Sequence, residues 1–380
     1  MKKLITITTL ALLVTITLMS QLGCSKETET PTSESNRWLE LLSVLPANEN
    51  TLKAAYLQDF AYLAEKVDKQ TTPEYVISRQ HHLSGYTGWV VVGKELPADE
   101  EWKQTLGFTL ADVDQTIYAG ALPLHYYEAV RGRFSRDDVD NAARTGPGND
   151  ILEIVSYQGH EFHSWGEDHG INFALRSNVR PLGKGFRLAL IDDFIFWVGW
   201  ADGIKEMIDS YEDNIDSLAD IENYQLLAQG LEELDVCCTF FSAESQSLSH
   251  VREVYKDMLE EPSNERQQLF VEEFERQVRL KPYQALATGA GIDEKGYYMA
   301  IVLLNSSEEV AQENATLLEQ RINQAKMAWG GQKWSDLIES MEIKSKGQLT
   351  LARLYGESCG YWDNFEMLGE GSYEPLLMHE

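Results

Sequence analysis

The sequence predicts an α+β fold, with mainly antiparallel sheets and helices on one face. Paired apolar segments separated by a short turn are the first observation, and residues 283–289 and 297–304 form such a pair, typical of a β-hairpin. The second is a capping box from Ser306 to Glu309, after which apolar residues recur every three or four positions, as on one face of a helix. Few strand patterns are followed by a crossover helix, so the strands are expected to be antiparallel, with two ferredoxin-like pseudo-repeats as one form of the fold.

The first half of the chain alternates helix and strand patterns, since apolar residues at helical spacing predict helices and short apolar runs bounded by turn residues predict strands. The predicted helices are 37–45, 51–69, 135–144, 201–211 and 221–234. The predicted strands are 88–93, the strand-like residues of 116–134, 151–157, 161–165 and the two arms of a hairpin over 186–200. The second arm of that hairpin is apolar on both faces and is expected to lie centrally in a covered sheet.

The second half follows the same logic. A strand is predicted at 236–241, and a charged, helical stretch at 248–279 is interrupted near Pro262. After the hairpin and the long helix that opens at Ser306, a short helix is predicted at 334–341 and a closing strand at 348–355.

The first 23 residues contain three zones that are typical of a secretory signal peptide. Lys2 and Lys3 form a basic start, an apolar stretch runs over about residues 4–19, and Leu22–Cys24 follows with a small residue before the cysteine. The apolar stretch is short for a bilayer-spanning helix, which needs ~20 apolar residues. Cleavage of residues 1–23 is therefore expected.

These features resemble the signal peptide of bacterial lipoproteins. In that family the cysteine thiol is joined to diacylglycerol, the chain is cut before the cysteine, and the new amino terminus is often acylated with fatty acids such as palmitate. The resemblance implies that Cys24 is the first residue of the mature protein and anchors it to the cell membrane, or to an outer membrane where the cell has one. Gln21 stands where the family prefers an aliphatic residue, and an ordinary cleaved signal or an uncleaved anchor are the alternatives.

A tether and two further segments complete the predicted organisation. Residues 25–36 contain no aliphatic or aromatic side chain, so they cannot bury enough surface to offset chain entropy, and 24–36 is expected to be a lipidated cysteine with a flexible spacer. An N-terminal α+β half is predicted for 37–235 and a C-terminal α+β half for 236–380.

The charge of the chain excludes one class of partner. The sequence has 32 Lys and Arg against 61 Asp and Glu, a formal net charge of −29, and removal of residues 1–23, which contain two lysines and no acid, brings it to −31. Nucleic-acid binding relies on Lys and Arg that displace counterions, so no nucleic-acid partner is expected. The acids are spread over the whole body, which favours solubility.

Three histidines among acids form the strongest candidate site. His160, His163 and His169 offer nitrogen ligands suited to transition metals, with carboxylates nearby. The helical zinc motif of metalloproteases needs two histidines four apart, whereas His160 and His163 are three apart in a strand pattern and would point to opposite faces. Surface or turn histidines are the alternative interpretation, and no cofactor is expected.

The remaining cysteines lie in the folded body. In an exported chain Cys359 could pair with Cys237 or Cys238, and the odd count leaves one thiol over. Because Cys237 and Cys238 would point to opposite faces of a strand, at most one would face Cys359. Buried, unreactive thiols are the alternative.

No nucleophile elbow, phosphate-binding loop or dinucleotide-binding glycine motif occurs in the sequence. The body resembles exported bacterial proteins of unknown function, with Val130–Phe134 before a helix as the best local mark. We therefore expect a non-catalytic envelope lipoprotein that binds a protein or another envelope component. The alternatives are a substrate-binding lipoprotein of a transporter, a class built on parallel sheets, and a metal-dependent hydrolase that uses His160, His163 and His169.

Overall fold

Twelve strands form one sheet in which every ladder between neighbouring strands is antiparallel. The structure, a computed structural model, describes residues 36–66, 99–109, 112–121, 125–177, 179, 183–254, 256–263, 267–268, 271–272, 278–326, 333–356 and 375–380. Arg37–Glu380 forms one compact unit, and Met1–Asn36 a second, of which only Asn36 is described. Cys24, Cys359 and the predicted strand 88–93 lie outside the described residues.

The two ends of the sheet are β4 and β11, since the strand order is β11-β12-β10-β9-β8-β1-β2-β3-β7-β6-β5-β4. The strands are β1 Ala55–Asp59, β2 Val113–Ala121, β3 His125–Gly132, β4 Leu152–Tyr157, β5 His160–Trp165, β6 Phe186–Ile191, β7 Phe194–Val198, β8 Cys238–Ser242, β9 Tyr283–Asp293, β10 Gly296–Asn305, β11 Ser340–Lys346 and β12 Leu349–Tyr355. The helices are α1 Arg37–Leu42, α2 Phe60–Lys66, α3 Asp99–Leu106, α4 Arg136–Thr145, α5 Ala201–Tyr211, α6 Glu222–Leu234, α7 Leu248–Val254, α8 Lys256–Glu260 and α9 Glu308–Gln324. The predicted α+β class with antiparallel strands is confirmed.

The two halves of the chain share one connection pattern. In each half a strand is followed by helices, a hairpin and one more helix, and the last strand then returns beside the hairpin: β7 beside β3, and β12 beside β10. The pairing is not ferredoxin-like, because strands joined by a helix in a split βαβ unit are parallel, whereas β1 and β2 are antiparallel. The ladder between β1 and β8 joins the two halves, and the division near residue 235 stays a prediction.

Helices cover both faces of the sheet, which corrects the expectation of one covered face. Along β10, the even-numbered residues from Tyr298 to Leu304 belong to a core with α1, α5 and α6, whereas Met299, Ile301 and Leu303 belong to a second core with α9. Further along the second face, α3 and α4 pack over β6 and β7. A strand that is covered on both sides needs apolar residues at every position, and the fully buried β7 meets that condition as predicted.

Most of the predicted elements near the β4 end of the sheet are confirmed. The strand pair β4–β5 turns at Gln158–Gly159, and the hairpin β6–β7 turns at Asp192–Asp193. The helix α4 begins after Ser135, whose hydroxyl accepts a hydrogen bond from the Asp138 N–H. Turn residues and caps act over a few positions, which is why the sequence predicted these elements well.

The predicted helix 51–69 is wrong in its first part, where β1 stands before the short helix α2. Ala55 and Leu57 face one core while Tyr56 faces the other, an alternation that only a strand produces. Periodicity alone does not distinguish a short buried strand from a helix. The pairing of β1 with β2 on one side and β8 on the other decides the outcome.

The predicted helix 334–341 is also wrong for most of its length. Only Trp334–Asp336 forms a helical turn, of the 3₁₀ type, and the edge strand β11 follows. Within β11 the half-buried Met341 and Ile343 alternate with exposed charged residues, the pattern of a strand covered on one face. The long helix α9 begins one residue later than predicted, because Ser307 rather than Ser306 is its N-cap.

Among the described residues, no helix combines the length and the apolar character needed to cross a bilayer.

Candidate functional site

The strand β5 places His160 and His163 on opposite faces of the sheet. His160 Nε2 lies 2.7 Å from Glu212 Oε1, just beyond the end of α5. His163 Nε2 lies 3.2 Å from Asp140 Oδ1, on α4. These helices cover different faces, so the two imidazoles cannot ligate one ion.

Burial controls the chemistry of His163. Its ring packs against Trp165, with 5.6 Å between the ring centroids. Desolvation lowers the pKa of the His163 imidazole below its usual value, and the nearby Asp140 carboxylate, which favours the charged form, offsets only part of that effect. The neutral imidazole is therefore favoured at His163, which faces Asp140 of α4.

His169 lies in the loop after β5, apart from the other two histidines. Its backbone has a φ of 55°, its N–H donates to the Gly199 carbonyl at 2.9 Å, and its ring stacks on Trp200 with 5.5 Å between centroids. The structure does not bring His160, His163 and His169 together. No group of three or more His, Cys, Asp and Glu side chains is placed to hold a metal in the part of the chain that the structure describes.

The same loop is held rigidly against the sheet by a buried arginine. Arg187, on β6, is 5% exposed and donates from Nη2 to the Asp168 carboxylate at 2.6 Å and to the Gly166 carbonyl at 3.0 Å. Asp168 also accepts from the Ala201 N–H at 3.0 Å, which ties the loop to the start of α5. Charge-assisted hydrogen bonds of this kind restrict the loop to one position.

A close backbone contact fixes the far end of the loop. The Asn172 N–H donates to the Gly183 carbonyl at 3.1 Å, and the Gly185 N–H donates to the Gly170 carbonyl at 2.9 Å. Gly183 has a φ of 63°, and a Cβ at that position would lie 1.8 Å from the Asn172 carbonyl oxygen. Only glycine fits this position.

Large apolar side chains project into solvent from this fixed loop and from the neighbouring edge strand. Phe173 is 68% exposed and Ile171 is 53% exposed in the loop, while Ile154 on β4 is 38% exposed and Ile151 just before β4 is 36% exposed. The start of β4 lies beside the end of β5, because Leu152 pairs with Trp165, and the loop that carries Ile171 and Phe173 leaves β5 at that end. We call these four residues the apolar end: Ile151, Ile154, Ile171 and Phe173.

The apolar end was not predicted from the sequence. Ile171 and Phe173 lie in a segment with glycine and asparagine around them, where a single exposed apolar residue is ordinary. Their exposure follows from the loop contacts with Arg187 and Gly183, which are long-range. A local signal does exist, since two large apolar residues occur among glycine and asparagine, where the structure forms only the short 3₁₀ turn Phe173–Leu175.

The burial of one carboxyl group was also not predicted from the sequence. Glu128, on β3, is 7% exposed, and its Oε2 has no hydrogen-bond partner among the described residues. Burial raises the pKa of Glu128 well above its usual value, and Lys184 offsets this only in part. The protonated form is therefore favoured. Glu128 stands between the half-buried Tyr126 and the buried Val130 on the same face, an unusual position for an acid in a strand.

The cysteines of the described region are free thiols. Cys237 and Cys238 are both buried, and both contact the core that contains α9. Burial raises the pKa of the Cys237 thiol to about 12, so its reactive thiolate form is disfavoured. Cys238 Sγ lies 3.8 Å from the Ala290 carbonyl oxygen.

Comparison with known proteins gives a distant similarity of fold. No protein-family model matches the chain, and no curated protein matches it. Crystal form I of TP0453, from Treponema pallidum, is similar with a TM-score of 0.38 and 9% identity over 87% of this chain and 96% of that chain. Crystal form III of the same protein gives a TM-score of 0.37 and 7% identity, over 87% of this chain and 97% of that chain. At this level the similarity assigns no function to the chain.

Proposed function

We propose that the protein is an envelope lipoprotein, exported by residues 1–23 and held at a membrane by lipid on Cys24, whose folded body binds a protein or another envelope component. The observation that carries the binding role is the apolar end. Exposed apolar side chains that are held in place by a rigid loop mark interaction surfaces on soluble proteins. A binding role requires no catalytic side chain at the apolar end.

The rigidity of the loop supports this role. A flexible apolar loop would pay conformational entropy on binding, whereas the loop with Phe173 is already fixed through Arg187, Asp168 and Gly183. Among the described residues, six large apolar side chains are exposed, and only Ile215 and Val278 lie away from the apolar end. The concentration of exposed apolar surface at one end favours one docking surface.

Binding is favoured over metal-dependent hydrolysis because the histidines which that reaction needs are held apart. His160 and His163 are engaged by Glu212 and Asp140 on opposite faces, and His169 stacks on Trp200. A substrate-binding protein of a transporter is not favoured either, since its class uses parallel sheets. The formal charge of −29 further favours a protein partner over a nucleic acid.

Metabolic labelling with a fatty-acid probe tests the anchor. Wild-type protein is expected to incorporate the probe and to fractionate with membranes, while Cys24→Ala is expected to lose both properties, because one cysteine carries the attachment. Ser25→Ala is the matched control, since it changes the adjacent residue and keeps the thiol. Equal labelling of wild type and Cys24→Ala would contradict the anchor.

Crosslinking in intact envelopes tests the binding role. Wild-type protein is expected to capture one reproducible partner, and the double substitution Ile171→Ser with Phe173→Ser is expected to reduce capture by about tenfold or more, the effect of removing buried apolar side chains from an interface. Ile215→Ser is the control, because Ile215 is similarly exposed (40%) but lies elsewhere. The absence of any reproducible partner would overturn the proposal.

A further inference from the structure

The outer side of the edge strand β4 has backbone groups that no described strand uses. Among the described strands β4 pairs only with β5. The two-residue turn between them has φ angles of 50° at Gln158 and 84° at Gly159, which is typical of a type I′ hairpin. In such a turn the flanking residues, Tyr157 and His160, exchange hydrogen bonds. Antiparallel pairs alternate between bonded and non-bonded, so Ile154 and Ser156 direct their N–H and C=O groups away from the sheet.

This edge carries only one of the features that protect edge strands, the exposed charge of Glu153. Natural edges carry lysine, proline or a bulge that prevents another strand from pairing with them. The sequence of β4, LEIVSY, contains no lysine and no proline, and its register with β5 is uninterrupted. In the described sheet no bridge covers the outer side of β4.

The charge around β4 indicates what could pair with it. Between Arg144 and Arg176 the chain contains no Lys or Arg. The same segment contains five carboxylates, which are Asp150, Glu153, Glu161, Glu167 and Asp168. Asp168 is paired with Arg187, whose charge also acts on Glu153, and Lys205 Nζ lies 6.0 Å from the centroid of the Tyr157 ring. The exposed carboxylates of Glu153 on β4 and Glu161 on β5 would repel an added strand with acidic residues.

The two faces of β4 place these charges within reach of an added strand. Glu153 is exposed on β4 itself and points to one face. On the other face, Glu161 of β5 pairs across from Ser156, whose short side chain leaves space for a long cationic side chain to pass over it. The exposed Ile154 lies on that second face and offers an apolar contact.

We propose that β4 is a docking edge that accepts an extended, Lys- and Arg-containing segment of a partner protein as an added β-strand. Backbone hydrogen bonds to Ile154 and Ser156 supply affinity, and Glu153 and Glu161 select cationic side chains. The proposal rests on the proposed function, because it names the chemistry of the partner that the apolar end would bind.

The probe is a synthetic peptide of about six residues, the length of a typical strand, that alternates valine with lysine or arginine. Full-length wild-type protein is expected to bind it about tenfold or more tightly than a matched peptide with glutamate in the cationic positions. Binding is expected to slow amide exchange at Ile154 and Ser156 and to weaken as salt rises. Equal affinity for both peptides would overturn the proposal.

Ser156→Pro tests the backbone contact, and Ser345→Pro is its matched control. Each serine precedes the last residue of an edge strand that enters a two-residue turn, so each N–H faces outward, where proline is tolerated. Ser156→Pro is expected to weaken peptide binding by about tenfold, the loss that one or two hydrogen bonds give, while Ser345→Pro leaves it unchanged. Unchanged binding in Ser156→Pro would contradict the proposal.

A peptide that is N-methylated on alternate residues provides a test with wild-type protein, so no variant has to fold. Two peptides are compared, one methylated on its odd-numbered residues and one on its even-numbered residues. One of them is expected to lose binding and the other to keep it, because the N–H groups of alternate residues lie on opposite edges of the added strand and only one edge faces β4. Equal binding of both peptides would overturn the proposal. Self-association of wild type that Ser156→Pro abolishes would also overturn it, in favour of a second copy as the occupant.

Two outcomes separate this inference from the proposed function. If envelope crosslinking captures a partner whose yield Ser156→Pro does not change, the β4 edge is not the docking strand, while the binding role stands. If no partner is captured from envelopes, the proposed function fails even where the peptide binds.

Discussion

The two edges of the sheet differ in how they are protected. At β11, Lys344 and Lys346 lie 2.6 and 2.5 Å from the Glu233 carboxylate of α6, and Glu342 pairs with Lys295. The helix α9 also packs over this end of the sheet. At β4 the one charged side chain is Glu153, and among the described residues no strand or bridge pairs with the outer side of β4. Lysines thus protect β11, whereas β4 itself carries no lysine.

This difference shows that the acidic charge of the chain acts differently at the two edges of the sheet. A formal charge of −29 suggests general solubility. At β11, however, acidic side chains pair with neighbouring lysines, and the opposite charges neutralise each other. Around β4 the acidic side chains have fewer such partners. If β4 accepts an added strand as we propose, Glu153 and Glu161 are expected to disfavour acidic strands and to favour basic ones.

The largest expected effect concerns the aromatic stack below β4. Trp165, Phe186 and Trp197 stack with centroid distances of 4.4 and 4.2 Å. Trp165→Ala is expected to lower the free energy of unfolding by about 3–5 kcal/mol, because it leaves a cavity in that core. Denaturant unfolding measures the loss, and hydrogen exchange is expected to quicken first in β4 and β5.

Leu354→Ala is the control at the opposite edge. Leu354 lies on β12, beside β11, and is 2% exposed. A loss of about 2–5 kcal/mol is expected there, with faster exchange in β11 and β12 instead. Identical exchange patterns in both variants would show that the two edges unfold together and would remove the basis for comparing them.

A smaller effect is expected from acid at the β4 end. Burial holds the pKa of His163 below its usual value, so between the two values the unfolded chain binds more protons than the folded one. The stability that neutral His163 contributes is present above about pH 6.5, its unfolded value, and is lost as the pH falls towards the folded pKa. Thermal unfolding at about pH 7.5 and at about pH 5.5 measures this loss of stability.

His163→Gln is expected to reduce the loss between those two pH values, because glutamine does not titrate. His160→Gln, on the opposite face of β5, is expected to keep it. An acid dependence that is the same in wild type and in His163→Gln would contradict this role for His163.

The smallest effect is expected at β11. Burial alone would raise the pKa of Glu233, but hydrogen bonds from Lys344 and Lys346 outweigh it and lower the pKa. The stability that ionised Glu233 contributes is therefore present above the pKa that Glu233 has in the unfolded chain. It is lost as the pH falls through the pKa that Glu233 has in the folded protein. Lys344→Thr with Lys346→Thr is expected to cost about 1 kcal/mol or less near neutral pH, because the lysines are largely exposed.

Denaturant unfolding near neutral pH and in acid measures that change. The difference between wild type and the double variant is expected to shrink in acid, where Glu233 is protonated. A difference that persists unchanged in acid would show that the two lysines stabilise β11 by packing and not through Glu233.

The hairpins at the β4 end could be predicted from the sequence, whereas β1 could not. Gln158–Gly159 and Asp192–Asp193 are local turn signals with apolar runs on both sides. By contrast, β1 is a strand because Ala55 pairs with Ala119 on one side and with Phe241 on the other, contacts that no local window contains. The local pattern of residues 51–69 favoured a helix.

The candidate site shows the same division. The alternation of side chains along a strand predicted that His160 and His163 would point apart, and the structure places them so. The exposure of Ile171 and Phe173 could not be predicted, because it depends on contacts of the loop with Arg187 and Gly183.

By itself, the sequence determined the α+β class, the hairpins, the acidic charge and the features from which lipid attachment at Cys24 is proposed, because each depends on composition or on residues a few positions apart. Only the tertiary structure decided the order of the strands, the covering of both faces and the identity of the two edges. These depend on which strands pair across long separations, and that choice is made by the burial of both faces at once. The open edge at β4 is a consequence of strand order, so no stretch of sequence could reveal it.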